Sequence, residues 1–205
     1  LCNCLKVLPD STGDIPSETI IVDNGSKDRN ILMLKDSYPD IQVIENFRNV
    51  GYTKAINMAI KESNGDMIIL INPDTIPQVG SINKMIGYMI SNSKAGICGP
   101  KVLNVDGSFQ KSCRRGIARP WAVFSYFLGL SRLYPNDVRY TGYHLDHIDE
   151  NLITEVGGVS GSCMLIRREV VDQIGYFDER YFAYQEDSDY CLRASQKGWN
   201  IIYYP

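Results

Sequence analysis

The chain has 205 residues, 44% of them hydrophobic and 22% charged, with a formal net charge of −3. This length suffices for one domain with a sizeable core, and the composition is that of a soluble globular chain rather than a disordered one. The net negative charge leaves no broad electrostatic footprint for nucleic acid, and no apolar run approaches the ~20 residues of a membrane-spanning helix, so no transmembrane segment is expected. The six cysteines, at 2, 4, 98, 113, 163 and 191, are scattered. Most sit in apolar runs and read as reduced, buried small hydrophobes of a cytoplasmic protein.

In chain order, Leu1, Leu5 and Leu8 have helical spacing. Thr19 to Val22 is β-branched and predicts a short buried strand. The polar loop Asp23-Asn24-Gly25-Ser26-Lys27-Asp28 follows it directly, and a helix starts near Ile31. Ile41 to Ile44 predicts a second strand and Thr53 to Ser63 a helix. Met67 to Ile71 is the most apolar strand, stopped by Asn72-Pro73-Asp74-Thr75. Ile82, Met85, Ile86, Met89 and Ile90 mark an amphipathic helix. Ala95 to Gly99 reads as a strand and Lys101 to Phe109 as a ribbon around a turn. From 113 to 153 periodicity fails, and an irregular insertion is expected. Strand Cys163–Ile166, a short helix Glu169–Ile174, a helix ending near Lys197 and a strand Asn200–Tyr204 complete the chain. Alternating strands and helices, with polar loops at strand carboxyl ends, predict a single α/β domain that binds its ligand at those ends.

Three clusters carry candidate chemistry. The richest is the run from Phe177 to Tyr190, which sets carboxylates among aromatic rings. Carboxylates are rarely buried unless paired or put to use, so this run is expected to wall a polar cleft where one acid takes a proton from a substrate hydroxyl. Glu186 and Asp187 fall in the first turn of the final helix, where the macrodipole favours acids, and Asp189 and Arg193 have the spacing of an i, i+4 ion pair. The second cluster is the loop from Asp23 to Asp28, which reads either as a base- or ribose-binding edge or as turn and cap chemistry. The third is Asp74, either a carboxylate for Mg²⁺ or Mn²⁺ or a capped turn. His144 and His147 with Asp146 and Asp149 could imitate a metal site, and Lys111, Arg114, Arg115 and Arg119 could meet phosphates or form a solvated face.

Taken in order, these pieces resemble a known family. Val22 to Asp28, Asn49-Val50-Gly51-Tyr52, Asn72-Pro73-Asp74, Gly161 to Arg168 and Gly175 to Glu179 are similar to the motifs of inverting GT-A fold glycosyltransferases. Phe182 to Arg193 followed by Gly198-Trp199 is most similar to the rhamnosyltransferase-like branch. The resemblance implies a GT-A fold, a Rossmann-like α/β domain with a mixed, mostly parallel sheet flanked by helices. It implies a nucleotide-sugar-binding half over 1–100 and an acceptor and catalytic half over 101–205, with the insertion 113–153 inside the latter. It further implies a nucleotide-diphosphate sugar donor held by Asp23, Asn24, Ser26, Asp28, Asn49, Gly51, Asn57 and Asp74, with Mg²⁺ or Mn²⁺ on Asp74. Asp187 is then the expected base, with Glu186 as its rival, and Tyr184, Gly161, Ser162 and Trp199 are expected around the acceptor. The acceptor is expected to be a glycan or lipid-linked species at the cytoplasmic face of a membrane. The chain begins inside what would be the family's first helix and stops at Pro205, so a fragment of the family's domain is expected.

Overall fold

The structure, a computed structural model, describes residues 1–26, 30–117, 120–134 and 137–205, and for residues 30–33, 120, 122, 123 and 132 the backbone alone. Nine α-helices, one 3-10 turn (Lys111–Cys113) and nine strands are described. The first half runs α1 (Cys2–Thr12), β1 (Ile20–Asp23), α2 (Asn30–Ser37), β2 (Gln42–Glu45), α3 (Tyr52–Glu62), β3 (Met67–Ile71), α4 (Ser81–Ser91) and β4 (Ala95–Pro100). Short elements fill the expected insertion: β5 (Arg114–Arg115), α5 (Pro120–Phe127), α6 (Leu130–Leu133) and α7 (Val138–Thr141). The remainder is β6 (Thr154–Glu155), β7 (Gly158–Val159), β8 (Cys163–Arg167), α8 (Arg168–Ile174), α9 (Glu186–Gln196) and β9 (Asn200–Tyr204).

Five strands form the central sheet, in the order β3-β8-β4-β9-β6. Its side chains alternate between two cores, as the two-residue period of a strand requires. Ile68, Leu70, Met164, Ile166, Ile97, Ile201 and Tyr203 meet α3, α8 and α9 on one face. Ile69, Ile71, Cys163, Leu165, Cys98 and Ile202 meet α4 on the other, with Ile82, Met85 and Met89 as the helix stripe. Covering both faces is what lets β8 read as a continuous apolar run.

The helix-flanked α/β class is the expected one; the strand directions are not mostly parallel. In the central sheet β4–β9 is parallel, whereas β3–β8, β8–β4 and β9–β6 are antiparallel. The cause is the return of the chain after the insertion: β8 starts beside the carboxyl end of β3, with Cys163 opposite Ile71, and must run back along it. That reversal delivers Gly161 and Ser162 to the end of β3. The strand expected to be buried, β1, is half-buried throughout, because it pairs in parallel with β2 as a separate ribbon rather than inside the main sheet.

Candidate active site

The site lies where β3 ends, β8 begins and α3 and α9 start. Ser162 O accepts the Asn72 N–H at 2.9 Å and the Thr75 hydroxyl at 3.3 Å, which joins the loop after β3 to the loop before β8. The Tyr52 hydroxyl, at the head of α3, lies 3.2 Å from both Asn72 Oδ1 and the Gly161 carbonyl. Burial, together with the carboxylates of Glu186 and Asp187, pushes the Tyr52 phenol well above its usual range, so it stays protonated as a donor.

The acidic stretch is pinned at both ends before it enters α9. Asn57, buried in α3, accepts the Phe177 N–H at 3.0 Å and donates to the Phe177 carbonyl at 2.9 Å. The Phe177 ring stacks on Tyr190 with centroids 3.9 Å apart. Farther along, the Phe182 carbonyl accepts the Tyr52 N–H at 2.8 Å. This approach requires glycine at 51: its φ is +94°, and a Cβ there would sit 2.9 Å from the Phe182 carbonyl oxygen. Tyr184 and Gln185 then both take left-handed backbone, at φ +68° and +69°. Such conformations cost roughly 1–3 kcal/mol each for non-glycine residues and cluster at functional sites. Here the turn aims the first residues of α9 inward, so that Glu186 and Asp187 are each 6% exposed.

The two acids differ in what surrounds them. Asp187 Oδ2 accepts from Arg115 Nη2 at 2.8 Å and from the Gly161 N–H at 3.2 Å. Its Oδ1 accepts from Arg115 Nη1 at 3.2 Å and from the Ser188 N–H at 2.7 Å. Glu186 Oε2 is buried with no hydrogen-bond partner among the described residues, as is Ser162 Oγ. Desolvation is the main cause that raises the Glu186 carboxyl above its usual range, and the charge of Asp187 adds to it. A carboxylate held in a fixed orientation, beside an acid whose proton is retained more readily, is an arrangement suited to proton transfer.

The other expected residues divide into three groups. Asn24, Asn49 and Gly51 come together. Asn24 Nδ2 donates to Asn49 Oδ1 at 2.9 Å and to the Gly51 carbonyl at 3.2 Å, while Asn24 Oδ1 accepts the Val50 N–H at 3.0 Å. Beside this clasp, Asp23, Gly25, Ser26, Glu45, Asn46 and Phe47 line an open depression. Asp23 Oδ1 accepts the Ser26 N–H at 3.1 Å, a turn bond that leaves its other oxygen available. Asp28 and Arg119 lie outside the described residues.

Asp74 and Tyr184 are exposed, Tyr184 at 85%. Among the described residues no three His, Cys, Asp or Glu side chains converge on a metal-sized site. Asp74 alone therefore fits a divalent cation that brings most of its ligands with it, not a cage built by the protein.

Two expected site residues do other work. The Asn57 amide is consumed by Phe177, so it positions the acidic stretch. Trp199 follows the far end of the 11-residue α9, where its N–H returns to the Ala194 carbonyl; Ala194 is seven residues on from Asp187, roughly 10 Å along the axis at 1.5 Å per residue. The Trp199 indole N–H donates to Gln173 Oε1 at 3.0 Å and its ring covers Gly96. Asp189 bonds Arg193 at 2.8 Å. Asp178 is held down to about 2 by its hydrogen bonds from Arg180. His147 lies 2.8 Å from the Thr141 hydroxyl, and His144 packs edge-on against Tyr126 and Tyr143. Arg115 and the Tyr52 hydroxyl are site groups that sequence reasoning did not single out. The clue for Arg115 was its place in a basic cluster, which read equally as a solvated loop.

Comparison with known proteins follows the same lines. The chain is 31% identical over 201 residues to the N-acetylglucosaminyl-diphospho-decaprenol L-rhamnosyltransferase of Mycobacterium tuberculosis, covering 93% of this chain and 64% of the relative. It is 29% identical over 190 residues to a low-salt glycan biosynthesis hexosyltransferase of Haloferax volcanii, covering 90% of this chain and 55% of the relative. The chain thus spans under two thirds of the length of these relatives. Among solved structures it is similar to GalNAc-T7 with UDP, GalNAc and Mn²⁺, at a TM-score of 0.64 and 15% identity, covering 92% of this chain and 36% of the other. It is also similar to the mannosyltransferase of Pyrobaculum calidifontis in complex with GDP-Man and Mn²⁺, at a TM-score of 0.61 and 15% identity, covering 100% of this chain and 51% of the other. These likenesses establish a GT-A fold. The model for glycosyl transferase family 2 matches residues 2–175, and the chain belongs to that family.

Proposed function

We propose that the protein transfers a hexose or deoxyhexose, rhamnose among the candidates, from a nucleotide-diphosphate donor to a glycan or lipid-linked acceptor with inversion. The observation that carries this reading is Asp187: a carboxylate 6% exposed, fixed by donors from two other elements, at the carboxyl end of β3. In this reading an acceptor hydroxyl gives its proton to Asp187 as its oxygen attacks the anomeric carbon. The bond to the diphosphate breaks on the opposite face, and the nucleoside diphosphate leaves with the electron pair. Asp23, Ser26 and the Asn24–Asn49–Gly51 clasp hold the nucleotide. Tyr184, exposed in the left-handed turn before α9, would offer its aromatic face to a sugar ring in this reading.

Asp74 would hold Mg²⁺ or Mn²⁺ together with diphosphate oxygens and water, and such a cation supplies charge neutralisation for a departing diphosphate. Calorimetric titration of Mn²⁺ with nucleoside diphosphate into the parent and Asp74→Ala tests this apart from turnover, with weaker joint binding expected in the variant.

The acceptor reading extends to the cytoplasmic face of a membrane. Trp121, Phe124, Phe127 and Leu128, on or just after α5, are 54%, 54%, 79% and 56% exposed, and no acidic residue occurs between Asp106 and Asp137 to repel anionic headgroups. Cosedimentation with vesicles containing anionic lipid should weaken in Trp121→Ser/Phe127→Ser. Equal binding would remove the support of α5. Among the described residues no helix is long and apolar enough to cross a membrane.

The deciding experiment is transfer from a panel of nucleotide sugars by the intact protein and by Asp187→Asn. Unchanged turnover in the variant would sink the base assignment. A second reading, a nucleotide-sugar-binding module without catalysis, predicts donor binding and no turnover in either.

A further inference from the structure

We infer that Arg115 is a positioning residue that saturates Asp187 in the resting site and must yield one bond for Asp187 to receive a proton. The inference rests on the reading of Asp187 as base. A carboxylate offers about four lone-pair sites. Asp187 already meets five donors: Arg115 Nη1 and Nη2, the Gly161 N–H, the Ser188 N–H and, at 3.2 Å, the Ser188 hydroxyl. A hydroxyl proton arriving from an acceptor therefore finds no unoccupied direction. Among these contacts the long ones are the exchangeable ones. Arg115 Nη1 stands 3.2 Å from Oδ1 but 2.7 Å from the Ser188 hydroxyl oxygen. It can give up Oδ1 and keep a good hydrogen bond, while Nη2 holds Oδ2 at 2.8 Å.

Arg115 is itself built in. It occupies β5, paired with Gly158 of β7, and its carbonyl accepts the Gly157 N–H at 2.9 Å. Its side chain is 17% exposed, against 9% for that of Asp187. A guanidinium fork in this environment fixes both the position and the plane of the carboxylate. It also places one cation against two buried acids, and its two forked bonds go to Asp187 rather than to Glu186.

The test compares Arg115→Met, Arg115→Lys and Asp187→Asn for kcat, donor KM and folded fraction, with and without added guanidinium. Displacement of the base by about 1 Å costs on the order of 10²-fold in rate. Arg115→Met should lose about that factor in kcat with donor KM unchanged, and Arg115→Lys and added guanidinium should each recover part of it. Arg115→Met/Asp187→Asn should be no slower than Asp187→Asn alone, since both changes remove one unit. Parental kcat in Arg115→Met would overturn the inference while leaving the base reading intact. So would a loss that tracks the unfolded fraction and is not rescued. Parental turnover in Asp187→Asn would instead overturn the base reading on which it stands.

Discussion

The two sides of the site are held to different standards. On the α9 side the protein itself supplies the partners: Asp187 is buried and gripped by β5, by the loop before β8 and by its own helix. On the side of the strand-end loops, Asp74 is exposed and Asp23 accepts from its own turn. Under the proposed function the difference separates two jobs. A group that acts on a developing charge gains from being fixed before the substrate arrives. A group that meets a charged, hydrated diphosphate and cation is better left wet, because the ligand completes its coordination. Gly51 joins the two sides, since its carbonyl is tied to Asn24 and its Cα lies against Phe182.

The sharpest way to break this comparison is to disable each side separately. Asp187→Asn should lower kcat by about 10²–10⁴-fold, the usual worth of a positioned base, with donor KM little changed. Asp74→Ala should do the reverse in kind, weakening donor binding about 10–100-fold at saturating acceptor, as loss of a carboxylate near a metal–phosphate site does. If both variants lowered kcat alone, the division between a preorganised side and a ligand-completed side would be wrong. Gly51→Ala attacks the joint. A side chain at φ +94° and 2.9 Å from the Phe182 carbonyl forces the acidic stretch away from α3, at a cost of about 1–3 kcal/mol. Urea unfolding should show that loss as a lower midpoint with the slope unchanged.

Much of this contrast was visible in the residues, and the part that was not has identifiable causes. The stripe of α4, the apolar runs of β3 and β8, and the Asp189–Arg193 pair follow local periods of 3.6, 2 and 4 residues, which need no tertiary knowledge. The run of acids and rings before α9 pointed to a cleft because two residue types that avoid each other's environment were interleaved. Strand direction was misjudged because the return of β8 beside β3 depends on where a long aperiodic insertion lets go of the chain. Arg115 reads in the sequence only as one of a basic cluster, and its pairing with Asp187 is hidden for a related reason. Its partner is 72 residues away, and nothing around it repeats. The left-handed pair Tyr184 and Gln185 carries no glycine to announce it; only the surrounding contacts impose that backbone. Asn57 was read as a ligand-facing amide, but Phe177, 120 residues on, uses it as a backbone partner. Trp199 sits beyond the end of the same helix as the acids. Nearness in a sequence motif became a separation of about two helical turns.

The smallest expected effect tests the contrast between neighbours inside the preorganised side. Asp187 is compensated, whereas Glu186 carries a buried oxygen without a partner. Burial raises the Glu186 carboxyl above its ordinary 4.5, so the folded state binds this proton more tightly than the unfolded chain does. Stability must then fall as pH rises from about 4.5 through the raised value, because over that window the folded state still holds a proton that unfolding releases. Glutamine is neutral throughout and does not pay that cost. Glu186→Gln should therefore raise Tm at pH 7, the direction that removal of a buried, unpartnered charge predicts. The gain should shrink towards zero below pH 4.5, where the parent is protonated as well. A Gln variant less stable than the parent at pH 7 would mean that Arg115 compensates both acids together. The division of the pair into one held carboxylate and one strained neighbour would then have to be abandoned.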